Sequence, residues 1–282
     1  MTTSKAQNPA TVRRVAILGG NRIPFARSNT VYATASNQEM LTATIQGLVD
    51  RFNLHGERLG DVVGGAVMKH ARDFNLVRES VLSTTLSRDT PAFDIQQACG
   101  TGLEAAMLVA NKIALGHIEC GIAGGVDTTS DAPVGLNEKL RKILLEASRA
   151  KTTVQRLTAL AKVRPAMLVQ PALPRNGEPR TGLSMGEHAE QMAAEWDISR
   201  EDQDRFAVES QRRASAAQKS GRFAAEIVGV TIPQKKGDPL VFDADEFINK
   251  KTNADALAGL RPAFDKAGSV TAGNASGLND GA

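Results

Sequence analysis

Up to Gly125 the apolar positions switch between short solid runs and helical spacing. Arg13–Gly19 (RRVAILG) predicts a buried strand, followed by a loop, Gly20–Ala35, that holds Pro24. Ser36, with Glu39 three residues on, carries the capping-box signature and predicts a helix with Leu41, Ile45, Leu48 and Phe52 on its apolar face. Asp61–Met68 (DVVGGAVM) predicts a second strand; Phe74, Val77, Val81 and Leu82 mark a second helix; Ala92–Gln96 predicts a third strand. A helix from Gly102 to Leu115 follows, with Leu103, Ala106, Val109, Ala110 and Ile113 inward and Gly116 as its stop. Glu119–Ala123 is the fourth apolar run, ended by Gly124-Gly125. Strands alternating with helices require crossover connections, so the pattern predicts an α/β fold around a largely parallel sheet.

The middle of the chain has a different rhythm. Asn137–Val163 is basic and helical, with Leu140, Ile143, Leu144 and Ala147 on one face, then Val154, Leu157 and Ala161. Arg164–Arg180 contains Pro165, Pro171, Pro174 and Pro179 and reads as loop. Met185–Trp196 predicts a helix, and Ser199 caps another that runs to Gly221. Strands resume from Ile227, separated by Gly237 and Pro239. The spacing thus predicts a helical insertion carried on the sheet, with no internal repeat.

Charge sharpens this picture. Lys139–Arg180 holds ten Lys/Arg against two acids, Glu146 and Glu178; that segment is +8 and leaves −5 for the rest of a chain whose formal charge is +3. Such a surface fits phosphates, acidic lipid or an acidic partner, and equally a solvated helical face. Two cysteines, Cys99 and Cys120, do not make a disulfide framework and suit a reducing compartment. No run is long enough to span a membrane, and the polar first ten residues lack a secretory pattern, so the expected location is cytoplasmic.

QQACGTGLEA (Gln96–Ala105) sets a cysteine between a strand end and a helix start. The first N–H groups of a helix are unpaired and its dipole is positive there, which favours an anionic, nucleophilic sulfur. Gly100 and Gly102 let the backbone approach a bound acyl group and free amides for an oxyanion. A buried small residue at a tight turn explains the same Cys99 as well. Cys120, inside an apolar strand, reads as a packing residue. VAILGGNRIPF (Val15–Phe25) lacks G-x-G-x-x-G, and GIAGGVD (Gly121–Asp127) lacks the Lys-Ser/Thr of a phosphate loop. His55, His70, His117 and His188 are scattered without metal-ligand spacing, so no metal is expected.

Three segments together resemble the thiolase family: QQACGTGLEA; SMGEHAEQMA (Ser184–Ala193) with SREDQDRFAVESQRRASAAQKSGRF (Ser199–Phe223); and RPAFDKAGSVTAGNASGLNDGA (Arg261–Ala282). The resemblance covers about Arg13 to Ala282. It implies the layered αβαβα thiolase fold: residues 1–127 as N-terminal α/β half, 128–245 as a basic, mainly helical loop domain, and 246–282 as the return to that half and the start of a second. It implies an acyl-CoA C-acyltransferase with Cys99 as acyl acceptor in a ping-pong reaction. That reaction is either thiolytic cleavage of 3-ketoacyl-CoA or condensation of acetyl-CoA. Coenzyme A and acyl-CoA are the implied substrates, with no tightly bound cofactor and no nucleic acid. By position, Met185, Phe264, Ala272 and Ser276 would line the pantetheine tunnel, Ser276 offering a hydrogen bond, and the adenine contact falls near Asn249–Lys251.

Ser184 stands where many biosynthetic acetoacetyl-CoA thiolases carry His before Met-Gly. With the long basic stretch, that looks more like the thiolase subunit of fatty-acid oxidation complexes. It implies a homo-dimer or tetramer, with a membrane surface or a β-oxidation partner enzyme meeting Lys139–Arg180. The family's Asn-Glu-Ala-Phe, Gly-His-Pro and Cys-x-Gly segments do not occur in these 282 residues. The chain is therefore expected to be C-terminally truncated and, alone, inactive. The alternatives are a non-catalytic acyl-CoA- or lipid-binding protein of this fold, and a ketoacyl-synthase-type condensing enzyme.

Overall fold

The computed structural model describes residues 12–234 and 236–282; the polar first ten residues lie outside them. By chain contacts the protein divides into a larger unit, Met1–Asp131 with Gly186–Ala282, and a smaller one, Ala132–Met185.

In the larger unit a short strand β1 (Ala26–Arg27) precedes α1 (Asn37–Phe52). The capping box forms as read: the Ser36 hydroxyl accepts from the Glu39 N–H, and the Glu39 carboxylate accepts from the Ser36 N–H. Then come β2 (Asp61–Gly64), α2 (Leu76–Leu82), β3 (Ala92–Asp94), α3 (Thr101–Ala114) and β4 (Gly121–Ala123). The three strands form a parallel sheet in the order β3-β2-β4, as two helical crossovers require. Successive strand side chains face opposite ways. Val62 joins the core of Met40, Leu41, Ile45 and Val49 from α1 and Leu76, Val77 and Val81 from α2. Val63 packs with Ala105 and Val109 of α3 on the other face. The sheet is thus covered on both sides.

Beyond the smaller unit's α4 (Glu138–Arg149), α5 (Thr153–Leu160) and α6 (Pro165–Leu168), the chain forms α7 (Met185–Glu195) and α8 (Arg200–Lys219). Ser199 caps α8, its hydroxyl accepting from the Asp202 N–H. An antiparallel pair follows, β5 (Val230–Ile232) and β6 (Leu240–Phe242), then α9 (Ala254–Ala258) and β7 (Asn279–Asp280), which pairs with β1.

Four expectations are corrected. Arg13–Gly19 is exposed and outside any strand, with Ile17 94% and Leu18 82% accessible; its one backbone bond among the described residues, from the Arg13 N–H to the Ala114 carbonyl, makes no ladder. On α3 the seam is Thr101, Ala105 and Val109, at i, i+4 spacing, while Leu103 and Ala106 face outward. In the smaller unit Leu140, Ile143 and Ala147 are buried as expected, yet Leu144 on α4 and Val154, Leu157 and Ala161 are exposed; α5 turns only Ala159 fully inward. Within Arg164–Arg180, Pro165 opens the short helix α6, since proline at a first helical position gives up an N–H that has no intrahelical partner.

Tyr32, the one tyrosine of the sequence, is fully buried; its hydroxyl donates to the Pro24 carbonyl at 3.0 Å and its ring meets Phe242 edge-on. Burial foremost, then the charges of Asp245 and Asp280, push its phenol above its ordinary range. The folded chain therefore keeps a proton that the unfolded chain releases near pH 10, so this stabilisation is complete below pH 10 and is lost as pH rises. The unfolding free energy from urea titrations between pH 8 and 11 is expected to fall with a slope approaching about 1.4 kcal/mol per pH unit above pH 10. That component is expected to be absent in Tyr32→Phe, which costs about 1 kcal/mol at neutral pH.

Candidate active site

All three strands of the parallel sheet end at one edge, the place where open α/β sheets bind ligands. There β3 runs on to Cys99, β2 to Gly65–Met68 and β4 to Gly124–Asp127. The N–H groups of Val67 and Met68 both donate to the Asp127 carboxylate, which ties two of these strand ends together. Asp127 and Gly281 exchange backbone bonds of 3.0 Å, so the last described strand is fastened to the same edge.

The sulfur sits in a tight bend. The Gly100 N–H donates to the Gln97 carbonyl at 2.9 Å, and the Thr101 N–H to the Ala98 carbonyl at 3.2 Å. The Thr101 hydroxyl closes the bend from both sides, accepting from the Gln97 N–H at 2.9 Å and donating to the Ala98 carbonyl at 2.7 Å. Ala98 takes φ 46°, the left-handed region that costs an L-residue about 1–2 kcal/mol. Strain is therefore stored one residue before the cysteine, a place where function often holds it. α3 starts at Thr101 with no side-chain cap, and the N–H groups of Gly102 and Leu103 find no acceptor among the described residues. Cys99 itself is exposed, so packing as a buried small residue does not explain it. An exposed sulfur beside unpaired helix-start amides can attack a carbonyl and leave donors near the oxygen that becomes anionic.

Gly65 makes this bend possible. A Cβ there would lie 2.1 Å from the Ile95 carbonyl oxygen and 3.0 Å from the Thr101 methyl. At Gly102 a Cβ would meet the Gly124 backbone only at 3.9 Å, so no close approach requires that glycine. Cys120 is corrected: it precedes β4 and is exposed.

The other candidates divide. The Phe264 ring lies directly on Gly186, where a Cβ would be 2.1 Å from the ring, so Phe264 meets the first turn of α7. Met185, which opens that helix, is 62% accessible and Phe264 39%. Ala272 and Ser276 are exposed on the loop before β7, and Asn249–Lys251 are exposed as well. No hydrogen bond among the described residues joins Cys99 to any of them. The sequence reading missed Ala98, Thr101 and Gly65; the paired glycines of DVVGGAV were the only signal for the last. It also missed Glu190 and Asp204, whose carboxylates hold the loop that carries Ala272. No cluster of metal-ligand residues occurs among the described residues.

The structure thus places an exposed cysteine at a strand–helix junction on the carboxyl edge of a parallel sheet. The model of the thiolase N-terminal domain matches residues 15–282, and the chain belongs to the thiolase family. It is 36% identical over 270 residues to a 3-ketoacyl-CoA thiolase of Erwinia tasmaniensis and 37% to one of Salmonella paratyphi A. Each match covers 95% of this chain and 61% of the relative, so the chain spans about three fifths of their length. The fold matches a crystal structure of the Bacillus anthracis acetyl-CoA acetyltransferase with a TM-score of 0.81 and 29% identity, covering 96% of this chain and 64% of that one.

The two glycines are expected to separate in a urea titration. Gly65→Ala, facing a backbone carbonyl that cannot yield, costs about 1–3 kcal/mol or more. Gly102→Ala, with open space and a helical position, stays neutral or gains about 0.5–1 kcal/mol.

Proposed function

We propose that the protein is a thiolase, an acyl-CoA C-acyltransferase that works through a Cys99 acyl-enzyme. The exposed Cys99 sulfur at the start of α3, beside two unpaired amides, carries this reading. The sulfur attacks the thioester carbonyl, a C–S bond forms, the bond to the coenzyme A sulfur breaks, and the proton of Cys99 leaves with that sulfur. In thiolysis the carbon bonded to Cys99 is the 3-keto carbon, the Cα–Cβ bond breaks, the α-carbon keeps the electron pair and takes up the proton given up by the Cys99 thiol, and acetyl-CoA departs. Coenzyme A then takes the acyl group from Cys99. The histidine and second cysteine of the family's mechanism are not among these 282 residues, and Cys99 supplies the covalent step.

In this reading Met185, Phe264, Ala272 and Ser276 line the pantetheine tunnel, and acyl-CoA and coenzyme A are substrates rather than resident cofactors. The seating of Phe264 on Gly186 supports a shared wall with the start of α7. Residues 128–245 form the loop domain, set between 1–127 and 246–282. The protein works in fatty-acid β-oxidation in the cytoplasm as a homo-oligomer. No helix among the described residues is long and apolar enough to cross a membrane.

Mass spectrometry after incubation with acetyl-CoA is expected to show an acetyl adduct on Cys99 that vanishes in Cys99→Ala; an adduct on Cys120 instead refutes the reading.

The +8 segment meets a membrane surface or a β-oxidation partner enzyme. The exposed Val154 and Leu157 of α5 support the membrane, with exposed Arg156 on the same helix and exposed Lys151 and Lys162 flanking it, Lys162 paired with Glu146. Sedimentation with phosphatidylserine vesicles is expected at low salt, with loss at 0.5 M salt (roughly a 4–5 Å Debye length) and in the triple Lys151→Glu, Arg156→Glu, Lys162→Glu variant. Equal binding to neutral vesicles overturns it.

A further inference from the structure

We propose that Glu190 is the positioning residue that presents the 269–276 loop to the carrier tail of an acyl-CoA, with Asp204 as the second strap; this rests on the thiolase reading. The Glu190 carboxylate accepts two consecutive backbone N–H groups at once, Ser269 at 2.8 Å and Val270 at 2.7 Å, and the Ser269 hydroxyl at 3.3 Å. Gly268 makes room for it, since a Cβ there would lie 2.3 Å from a Glu190 oxygen. Further along, Asp204 accepts from the Asn274 amide at 2.9 Å and pairs with Arg200 at 2.8 Å; Arg200 also donates to the Leu257 and Leu260 carbonyls. Inside the loop the Asn274 amide oxygen takes the Thr271 N–H at 2.7 Å, and the Thr271 hydroxyl takes those of Gly273 and Asn274.

The result is a sorting of groups. Val270 and Thr271 are buried, and the N–H groups of Ser269, Val270, Thr271, Gly273, Asn274 and Ala275 are spent on Glu190 or on acceptors within the loop, while Ala272 and Ser276 face outward. The Ser276 hydroxyl has no partner among the described residues. It is an exposed side-chain group of the loop that can meet a ligand amide. The two carboxylates therefore touch the loop and act through it. Bonds to an ionised acceptor are shorter and stronger than neutral ones, so they hold the loop's shape firmly. A carboxylate can accept both amides, whereas the glutamine amide accepts one and turns an N–H against the other. Glu190→Gln keeps the volume and removes the clamp.

In the protein as it occurs, E190Q is expected to raise the KM for coenzyme A about tenfold, the loss of one charge-assisted bond. The kcat stays within about twofold, the pattern of lost uniform binding. Alkylation of Cys99 by iodoacetamide is expected to be unchanged, and amide hydrogen exchange across 269–276 to quicken. If E190Q does not fold, Asn274→Ala cuts the second strap from the loop side and is expected to show the same KM shift. An unchanged KM in an active variant, or a fall in kcat and Cys99 alkylation at constant KM, overturns the clamp alone. Wild-type enzyme that neither acylates Cys99 nor binds coenzyme A overturns the thiolase reading and the clamp with it.

Discussion

The seating of α3 on the carboxyl edge of the parallel sheet is the constraint on which the rest depends. Thr101, Ala105 and Val109 press the helix against β2 and β4, and the absent side chain of Gly65 lets its first turn come down onto the strand end. Once the helix is fixed there, the six residues between β3 and α3 must fold back within one bend. That bend sets Ala98 in the left-handed region and lifts Cys99 to the surface. The strain is affordable because the Thr101 hydroxyl and two backbone bonds over-determine the turn.

The opposite face of the sheet supplies the rigidity. Val62 and Val63 point to different layers, so the β2 register cannot slip without moving a core residue into the wrong one. Fully buried Tyr32 anchors the entry to α1 through a backbone carbonyl and an aromatic edge contact. The end of the chain is bound into the same frame. Asp280 is fully buried and accepts from the Thr129 and Ser130 N–H groups, so the segment after the 269–276 loop is held beside the strand ends. Both ends of that loop are therefore fixed, the near end to α7 and α8 and the far end to β1 and Asp127.

What could be read in advance follows the range of the forces involved. The Ser36–Glu39 box, the Ser199 cap and the Gly116 stop are contacts among near neighbours, and all three formed as the local sequence indicates. The strand–helix alternation was equally legible, because burial imposes one period on each element. The motif around Cys99 named that cysteine's place in the fold by resemblance. Spacing alone left a reactive thiol and a packed one level. Arg13–Gly19 shows the limit: an apolar run states a tendency to pair, and it becomes a strand only where another strand meets it. Val154 and Leu157 show it again, since a helix face is apolar in sequence whether or not anything covers it.

The sequence by itself determined the capped helices, the strand–helix alternation of the crossover fold and the position of Cys99 between strand and helix, because these rest on caps, periods and a short motif within a few residues. Only the tertiary structure decided that Cys99 is exposed, that Gly65 rather than Gly102 is the glycine the bend needs, and that Glu190 and Asp204 hold a loop 70 and more residues away. Those outcomes depend on which backbone atoms approach one another across the fold, and no local pattern encodes a distance between segments so far apart in the chain.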